Sequence, residues 1–429
     1  MTQIEDLERL SREAAERIIK SEGVRIITHN DADGLSAGAL LAFSLAKVDI
    51  PFHLTVIPRL TKQIAIDKGD YELLVFCDMG STFSDRDYEE MGVNPENVIV
   101  LDHHLPTTTH STFFMVNPHL VGVDGAFELC ASGVVYNVVK NMVEGDVLLE
   151  LAVSGMIGDK QVFKGPNRKI IEEGVLKNVF ELKMGLILPE RPLKEIFESG
   201  IEPYLPDALD VLEKMGITDK KPSELSELGL ERKVANVIAL IAIKNPNPRA
   251  VSYVIGEVVK SRGRDPYLLS SILDATGKME KPSVGIGLAM GDDSCLEEGL
   301  RILKSYERKV KEGLERVLDA MDEEAFLRYA IVENLNFTGA VAGVITRYCL
   351  PPDKPFFILS VRDDEVRVSA RGNSYLVSKG LNLSEVCSIA SELGGMGGGH
   401  SVAAGATLPK GMEHEFIKRA NELIGEQIK

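Results

Sequence analysis

The sequence predicts an α/β protein: a parallel, doubly wound sheet domain, a mostly helical insertion, and a smaller C-terminal α/β domain. Three observations predict it. Short β-branched runs alternate with helix-length amphipathic stretches up to about residue 157, the pattern of crossover connections between parallel strands. Between about 182 and 322, prolines and Glu/Lys pairs replace those runs. Beyond 322 the β-branched runs return.

Each element has its own warrant. Residues 4–19 carry Leu7, Leu10, Ala14 and Ile18 at helical spacing with charges elsewhere. Strands are predicted at 24–28, 52–57, 71–77 and 97–101, with helices at 35–47 and 84–91 between them. Helices follow at 130–142 and 147–157; residues 160–180 begin basic (Lys160, Lys164, Arg168, Lys169) and turn helical. In the insertion, Pro189, Pro192, Pro203, Pro206 and Pro222 punctuate short helices, and 297–321 reads as a long charged amphipathic helix. The insertion shows no catalytic constellation. After it come strands at 327–332, 356–361 and 365–370, helices at 339–349 and 383–393, a glycine-rich loop before His400, and a last helix from Met412. The predicted domains are 1–181, 182–322 and 323–429.

Composition narrows the function. A hydrophobic fraction of 44% and a charged fraction of 26% are those of a soluble globular protein, and 429 residues leave room for several cores. No apolar run approaches the length of a membrane span, and the early Glu5, Asp6 and Glu8 do not suit a secretory signal. Five scattered cysteines without a Cys-x-x-Cys pair argue for a reducing cytoplasm. With 48 basic and 65 acidic residues the formal charge is −17, which disfavours a protein that coats duplex DNA. An enzyme that holds one strand in a local cleft is compatible with it.

Three of the predicted strands end in metal-binding chemistry. The first runs into His29-Asn-Asp31-Ala-Asp33-Gly34, the third into Asp78-Met-Gly80, and the fourth into Asp102-His103-His104. In open parallel sheets ligands bind beyond the carboxyl ends of the strands. Asp31 and Asp33, one residue apart, can serve two different ions, and Asp78 can bridge them. His103 adds an imidazole and Asp159, at the end of a helix, a further carboxylate. Carboxylate and imidazole without thiolate suit Mn or Mg better than structural Zn. Two such ions about 3.5–4 Å apart clamp phosphoryl oxygens and activate water. In Gly394-Gly-Met-Gly-Gly-Gly-His400, consecutive backbone N–H groups suggest an anion nest. Ser132 opens a helix as cap or phosphate contact.

These stretches resemble motifs I to IV of the DHH phosphoesterases: His29 to Gly34, Asp78 to Gly80, Asp102 to His104 and Gly158-Asp159. Gly397-Gly-Gly-His400-x-x-Ala-Ala-Gly405 resembles the signature of the DHH-associated C-terminal domain, and Ser369-Ala-Arg371 its arginine segment. The wording is similar to that of archaeal RecJ-like members. The resemblance implies that Asp31 and Asp78 hold one Mn, and Asp33, Asp78, His103 and Asp159 the other, with Mg as a substitute. His29, where bacterial RecJ-type enzymes carry an acidic residue, is expected to join the metal ligands. His104 would touch the scissile phosphate, with Asp78 and Asp102 in the catalytic group. Arg371, His400, Gly398, Gly399 and Ser132 would bind substrate. The implied activity is a Mn-dependent exonuclease that degrades single-stranded DNA or RNA to 5′-mononucleotides in replication, repair or RNA turnover. The implied partners are replication or repair proteins, a GINS-type complex or a helicase, reached through the insertion. The rival readings are a small-substrate phosphoesterase (a nanoRNase, a 3′-phosphoadenosine phosphate phosphatase or a cyclic-dinucleotide phosphodiesterase) and a replication scaffold of the same fold.

Overall fold

A computed structural model describes residues 3–61, 69–108, 110–199 and 201–428. The chain begins with α1 (Gln3–Ile19), β1 (Val24–His29), α2 (Ala32–Lys47), β2 (Phe52–Ile57), β3 (Leu73–Cys77), α3 (Asp85–Glu90), β4 (Val98–Leu101) and β5 (Phe114–Val116). It continues through α4 (Ala131–Val139), α5 (Asp146–Gly158), α6 (Gly165–Leu176) and β6 (Phe180–Leu186). Four helices follow, α7 (Leu193–Ser199), α8 (Ala208–Met215), α9 (Pro222–Glu227) and α10 (Glu231–Ile243), before β7 (Ile255–Ser261), which pairs with β6. Then come α11 (Pro266–Lys278), α12 (Pro282–Ala289), α13 (Leu296–Asp319), β8 (Met321–Glu323), β9 (Arg328–Glu333) and α14 (Thr338–Val344). The chain closes with β10 (Phe356–Val361), β11 (Glu365–Arg371), α15 (Ser374–Ser378), α16 (Leu383–Glu392), β12 (Met396–Gly399), β13 (Ala403–Pro409) and α17 (Glu413–Gln427).

Two compact units emerge: residues 1–183 with 259–303, and residues 184–258 with 304–429. The first is built on a five-stranded sheet in the order β2-β1-β3-β4-β5, parallel throughout. Buried strands such as Leu74–Phe76 and Val98–Leu101 are apolar on both faces because helices cover both. One face packs Phe76, Val100 and Leu74 against Tyr88 and Phe113. The strand order reverses between β1 and β3, the switch point at which such sheets open a crevice. His29 closes β1 and Asp78 follows β3.

The second unit holds a six-stranded sheet, β12-β13-β11-β10-β9-β8. Leu359, Val366 and Val368 of that sheet bury against Val386 and Ala390 of α16 and Phe416 and Ala420 of α17. The run predicted as a glycine-rich loop is in part a strand. Residues Met396–Gly399 form β12, paired antiparallel with β13 at the sheet edge. Glycine is needed there for close approach: a Cβ on Gly397 would sit 2.0 Å from the Cys387 carbonyl oxygen of α16. In a strand successive N–H groups point to opposite sides, so an anion nest does not form within Met396–Gly399.

The stretch 182–322 divides between the units. Residues 259–303 fall in the first, where α11 packs on α2 and α5, and 184–258 fall in the second. The long predicted helix is α13, which begins in one unit and ends in the other. Residues 345–349, expected as α-helix, form a π-helical turn after α14. Among the described residues no helix is long and apolar enough to cross a membrane.

Candidate metal centre

The cluster is assembled at the switch point from loops and helix ends. Asp31 caps α2, its Oδ1 accepting from the Gly34 N–H at 3.0 Å, and its Oδ2 lies 2.7 Å from His29 Nδ1. The same His29 nitrogen is 3.3 Å from Asp78 Oδ2. Asp33, in the first turn of α2, reaches across to α4: its oxygens accept the N–H groups of Ala131 at 2.7 Å and Ser132 at 2.9 Å. A helix N-terminus offers unpaired N–H groups and a favourable dipole, so a carboxylate from another helix serves as the cap. Helix α5 passes close behind, where a Cβ on Gly155 would stand 2.7 Å from Asp33 Oδ1 and 2.2 Å from Ser132 Oγ.

Asp78 is central. Its Oδ1 is buried without a hydrogen-bond partner and lies 3.2 Å from His103 Nε2. Its backbone is left-handed at φ +59°, uncommon for a non-glycine residue and a form of strain that clusters at functional sites. His103 Nδ1 donates to the Gly125 carbonyl at 2.7 Å, so in the neutral ring Nε2 carries the lone pair on the Asp78 side. Asp159 caps α5 and lies 3.8 Å from His103. Asp102 is fully engaged. Its Oδ1 accepts from the His103 N–H and from both the N–H and Nδ1 of His104, and its Oδ2 from the Ser81 N–H. It therefore orients His104.

Among the groups of donor atoms that lie within 4.8 Å of one another, two could each hold a cation at the centre of the cluster: His29, Asp31 and Asp78, and Asp33, His103 and Asp159. Asp78, close to His103 as well, links them. An orphaned buried carboxylate oxygen and a lone-pair nitrogen aimed at one spot fit a divalent ion.

Electrostatics agree. Desolvation opposes charge on His29, but Asp31 and Asp78 outweigh it and push the imidazole up to about 10. Burial, with the charges of Asp33 and Asp78 added and His103 pulling the other way, raises Asp159 to about 7. Burial and then the Asp78 charge raise Asp33. Burial works against a charged His103, and Asp159, Asp78 and Asp33 overcome it. Protons held this firmly among carboxylates stand in for a cation.

The residues expected to bind substrate are placed differently from one another. Ser132 does not face a phosphate: it is fully buried, its N–H given to Asp33 and its hydroxyl to the Ala152 carbonyl at 3.1 Å. In the second unit, Arg371 closes β11 opposite Ala403, and the His400 N–H donates to the Ala403 carbonyl at 2.8 Å, so both sit at one end of the sheet. The Arg371 guanidinium donates to its neighbour's carbonyl, Ala370, at 2.9 Å; burial and then the nearby Arg347 lower its pKa to about 10. Gly398 has open space where a side chain would be, while Gly399, at φ +143°, turns the strand into the hairpin.

Sequence reasoning missed several residues. Lys278, at the end of α11, donates to Asn30 Oδ1 at 3.3 Å, between His29 and Asp31 in the chain. Gln161 and Asn167 lie buried beside Asp159, and Asn117 donates to the His104 carbonyl at 2.9 Å. Amides carry no signal in a sequence that separates a buried brace from a surface residue; only the position of Gln161, two beyond Asp159, could have hinted.

Comparison with known proteins follows the same two units. The DHH family, N-terminal domain, matches residues 23–156 and the DHHA1 domain residues 327–426. An uncharacterized protein of Methanocaldococcus jannaschii is 33% identical over 451 aligned positions, covering 100% of both chains. The single-stranded-DNA-specific exonuclease RecJ of Bacillus subtilis is 22% identical over 97% of this chain and 48% of its own, so the chain spans about half that relative's length. Several solved structures are similar in fold over nearly the whole of this chain. RecJ of Thermus thermophilus, in complex with Mn2+, has a TM-score of 0.62 at 19% identity over 98% of this chain and 55% of that one. CDC45 of Entamoeba histolytica has a TM-score of 0.61 at 12% identity over 99% of each.

Proposed function

Because the chain belongs to the DHH family of phosphoesterases and is RecJ-like, we propose a finer reading: a Mn-dependent exonuclease that hydrolyses single-stranded DNA or RNA to nucleoside 5′-monophosphates. The observation that carries it is Asp78, whose carboxylate adjoins both candidate cation sets and keeps one buried oxygen unpaired. On this reading His29, Asp31 and Asp78 hold one ion, and Asp33, Asp78, His103 and Asp159 the other. Bound there, the ions supply an activated water and charge neutralisation for the phosphoryl oxygens.

The chain's own residues do the rest. Asp102 accepts the Nδ1–H of His104 at 2.8 Å, so that Nε2 is the nitrogen that meets a phosphate oxygen. The α4 amides fix Asp33. Arg371, His400 and the strand end at Gly398 and Gly399 bind the substrate backbone. A replication or repair protein such as a GINS-type complex or a helicase would be reached through the insertion, where Leu228, Leu240 and Ile243 are exposed. The protein acts in the cytoplasm.

The test is one assay. Purified protein with Mn or Mg is given 5′- and 3′-labelled single-stranded DNA and RNA, a dinucleotide, a cyclic dinucleotide and 3′-phosphoadenosine phosphate. Mononucleotides released progressively from one end of long strands support the exonuclease. Turnover of the small substrates alone supports a small-substrate phosphoesterase, and no turnover with any metal supports a scaffold.

A further inference from the structure

Beside the cluster lies a buried amide chain that the proposed chemistry does not use. Gln161 is 8% exposed and Asn167 fully buried. The Gln161 Nε2 group donates in two directions, to Asp159 Oδ2 at 2.7 Å and to the Gly125 carbonyl at 3.0 Å. That carbonyl is the acceptor for His103 Nδ1. One NH2 group therefore spans two members of one cation set that arrive on different elements, His103 after β4 and Asp159 at the end of α5.

The orientation of this amide has a single solution. Asn167 Nδ2 donates to Gln161 Oε1 at 3.0 Å and to the Val162 carbonyl at 3.3 Å. Turning Gln161 over would set its oxygen against a carboxylate and a carbonyl, both acceptors, and its NH2 against the NH2 of Asn167. Holding it this way leaves Asn167 Oδ1 buried without a partner. A polar atom left unsatisfied to keep another correctly oriented points to a demand outside the pair.

We infer that Gln161, locked by Asn167, is a positioning residue that holds Asp159 and the Gly125–His103 pair in register for the cation set Asp33, His103 and Asp159. The inference rests on the metal-dependent reading above and deepens it. Groups behind metal ligands typically alter metal affinity by about 10–100-fold. The hydrogen bonds of Gln161 go to Asp159, Gly125 and Asn167, so the set His29, Asp31 and Asp78 is spared.

The test is Mn titration of the full chain by calorimetry and by electron paramagnetic resonance, which reports spin coupling between two neighbouring Mn ions. Wild type is expected to bind two coupled ions. Gln161→Met, similar in shape and without donors, should bind one ion with unchanged affinity and the second at least about tenfold more weakly, with coupling lost at limiting Mn. Asn167→Asp, which sets an acceptor against Gln161 Oε1, should reproduce the selective loss, and 15N NMR of His103 should show its Nδ1 proton preference weakened in both. Two coupled ions at wild-type affinity in Gln161→Met would overturn the inference and leave the metal-dependent reading standing. Wild type that binds no Mn would overturn both.

Discussion

The crevice at the ends of β1, β3 and β4 and the sheet corner at Arg371 are finished to different degrees. In the crevice Asp33, Asp102 and His103 are almost wholly buried, and each is held by backbone amides or a carbonyl. At the corner Arg371 meets a single carbonyl among the described residues, Gly398 has empty space beside it, and the edge strand is mostly glycine. The first is held in place by its own hydrogen bonds, as the proposed ion coordination demands. The second has donors to spare, as the proposed binding of an anionic chain requires. Binding metal and binding substrate should therefore fail separately.

The largest effect is expected at Asp78. Asp78→Asn keeps shape and backbone preference but removes the charge shared by both cation sets, so hydrolysis should fall on the order of 10³-fold or more. A variant that keeps a tenth of wild-type turnover in a labelled-oligonucleotide assay would break the two-ion assignment.

Arg371→Ala comes next. Losing charge-assisted contacts worth about 1.5–3 kcal/mol should weaken oligonucleotide binding by about 10–100-fold, while Mn binding by calorimetry stays at the wild-type value. Mn affinity falling in parallel would merge the two regions into one.

A third prediction concerns stability. Gly155→Ala pushes a methyl group into Ser132 and Asp33 and should cost about 1–3 kcal/mol in urea unfolding. Gly398→Ala meets nothing within 4 Å and should be neutral or stabilising by up to about 1 kcal/mol. Equal costs at the two glycines would remove the contrast in finish.

The smallest effect is in pH. Asp159 at about 7 and His29 at about 10 both lie above their unfolded values. The His29 contribution is complete below its unfolded value near 6.5 and lost as pH rises towards 10; the raised Asp159 penalises the folded state progressively from about 4 to 7. The Tm of EDTA-treated protein should accordingly decline from about pH 5 to about pH 9. Mn displaces the same protons, so its affinity should rise with pH, about tenfold per unit for each proton released. A Mn-induced gain in Tm that is flat across this range would exclude His29 and Asp159 as sites of displaced protons.

How much of this was legible in the sequence depends on where each group gets its definition. His29, Asp31 and Asp33 fall close together at the end of one apolar run, and Asp78 and His103 each follow another, so strand pattern alone located them. Which partner each would meet was not legible. Ser132 read as a cap or phosphate contact because its opposite number, Asp33, lies 99 residues away in the chain. The strand β12 was hidden because glycine carries no strand preference; pairing with β13 and the close helix α16 make it one. Strands β6 and β7 interleave charges such as Glu181 and Glu257 with apolar residues, which obscured them in a proline-punctuated stretch. The placement of 259–303 with the first unit comes from packing of α11 on α2 and α5, a long-range fact that composition does not encode.

The left-handed backbone at Asp78 bears on how this chain could be redesigned. A procedure that rewarded folding alone would choose glycine there, because it removes both the conformational strain and a desolvated carboxylate. Asp78→Gly should then melt higher than the metal-free parent while losing turnover. Thermal selection without an activity screen would erase the central residue first, and an ancestor or relative with glycine at this position would be recognisable as one that kept the architecture after giving up the chemistry.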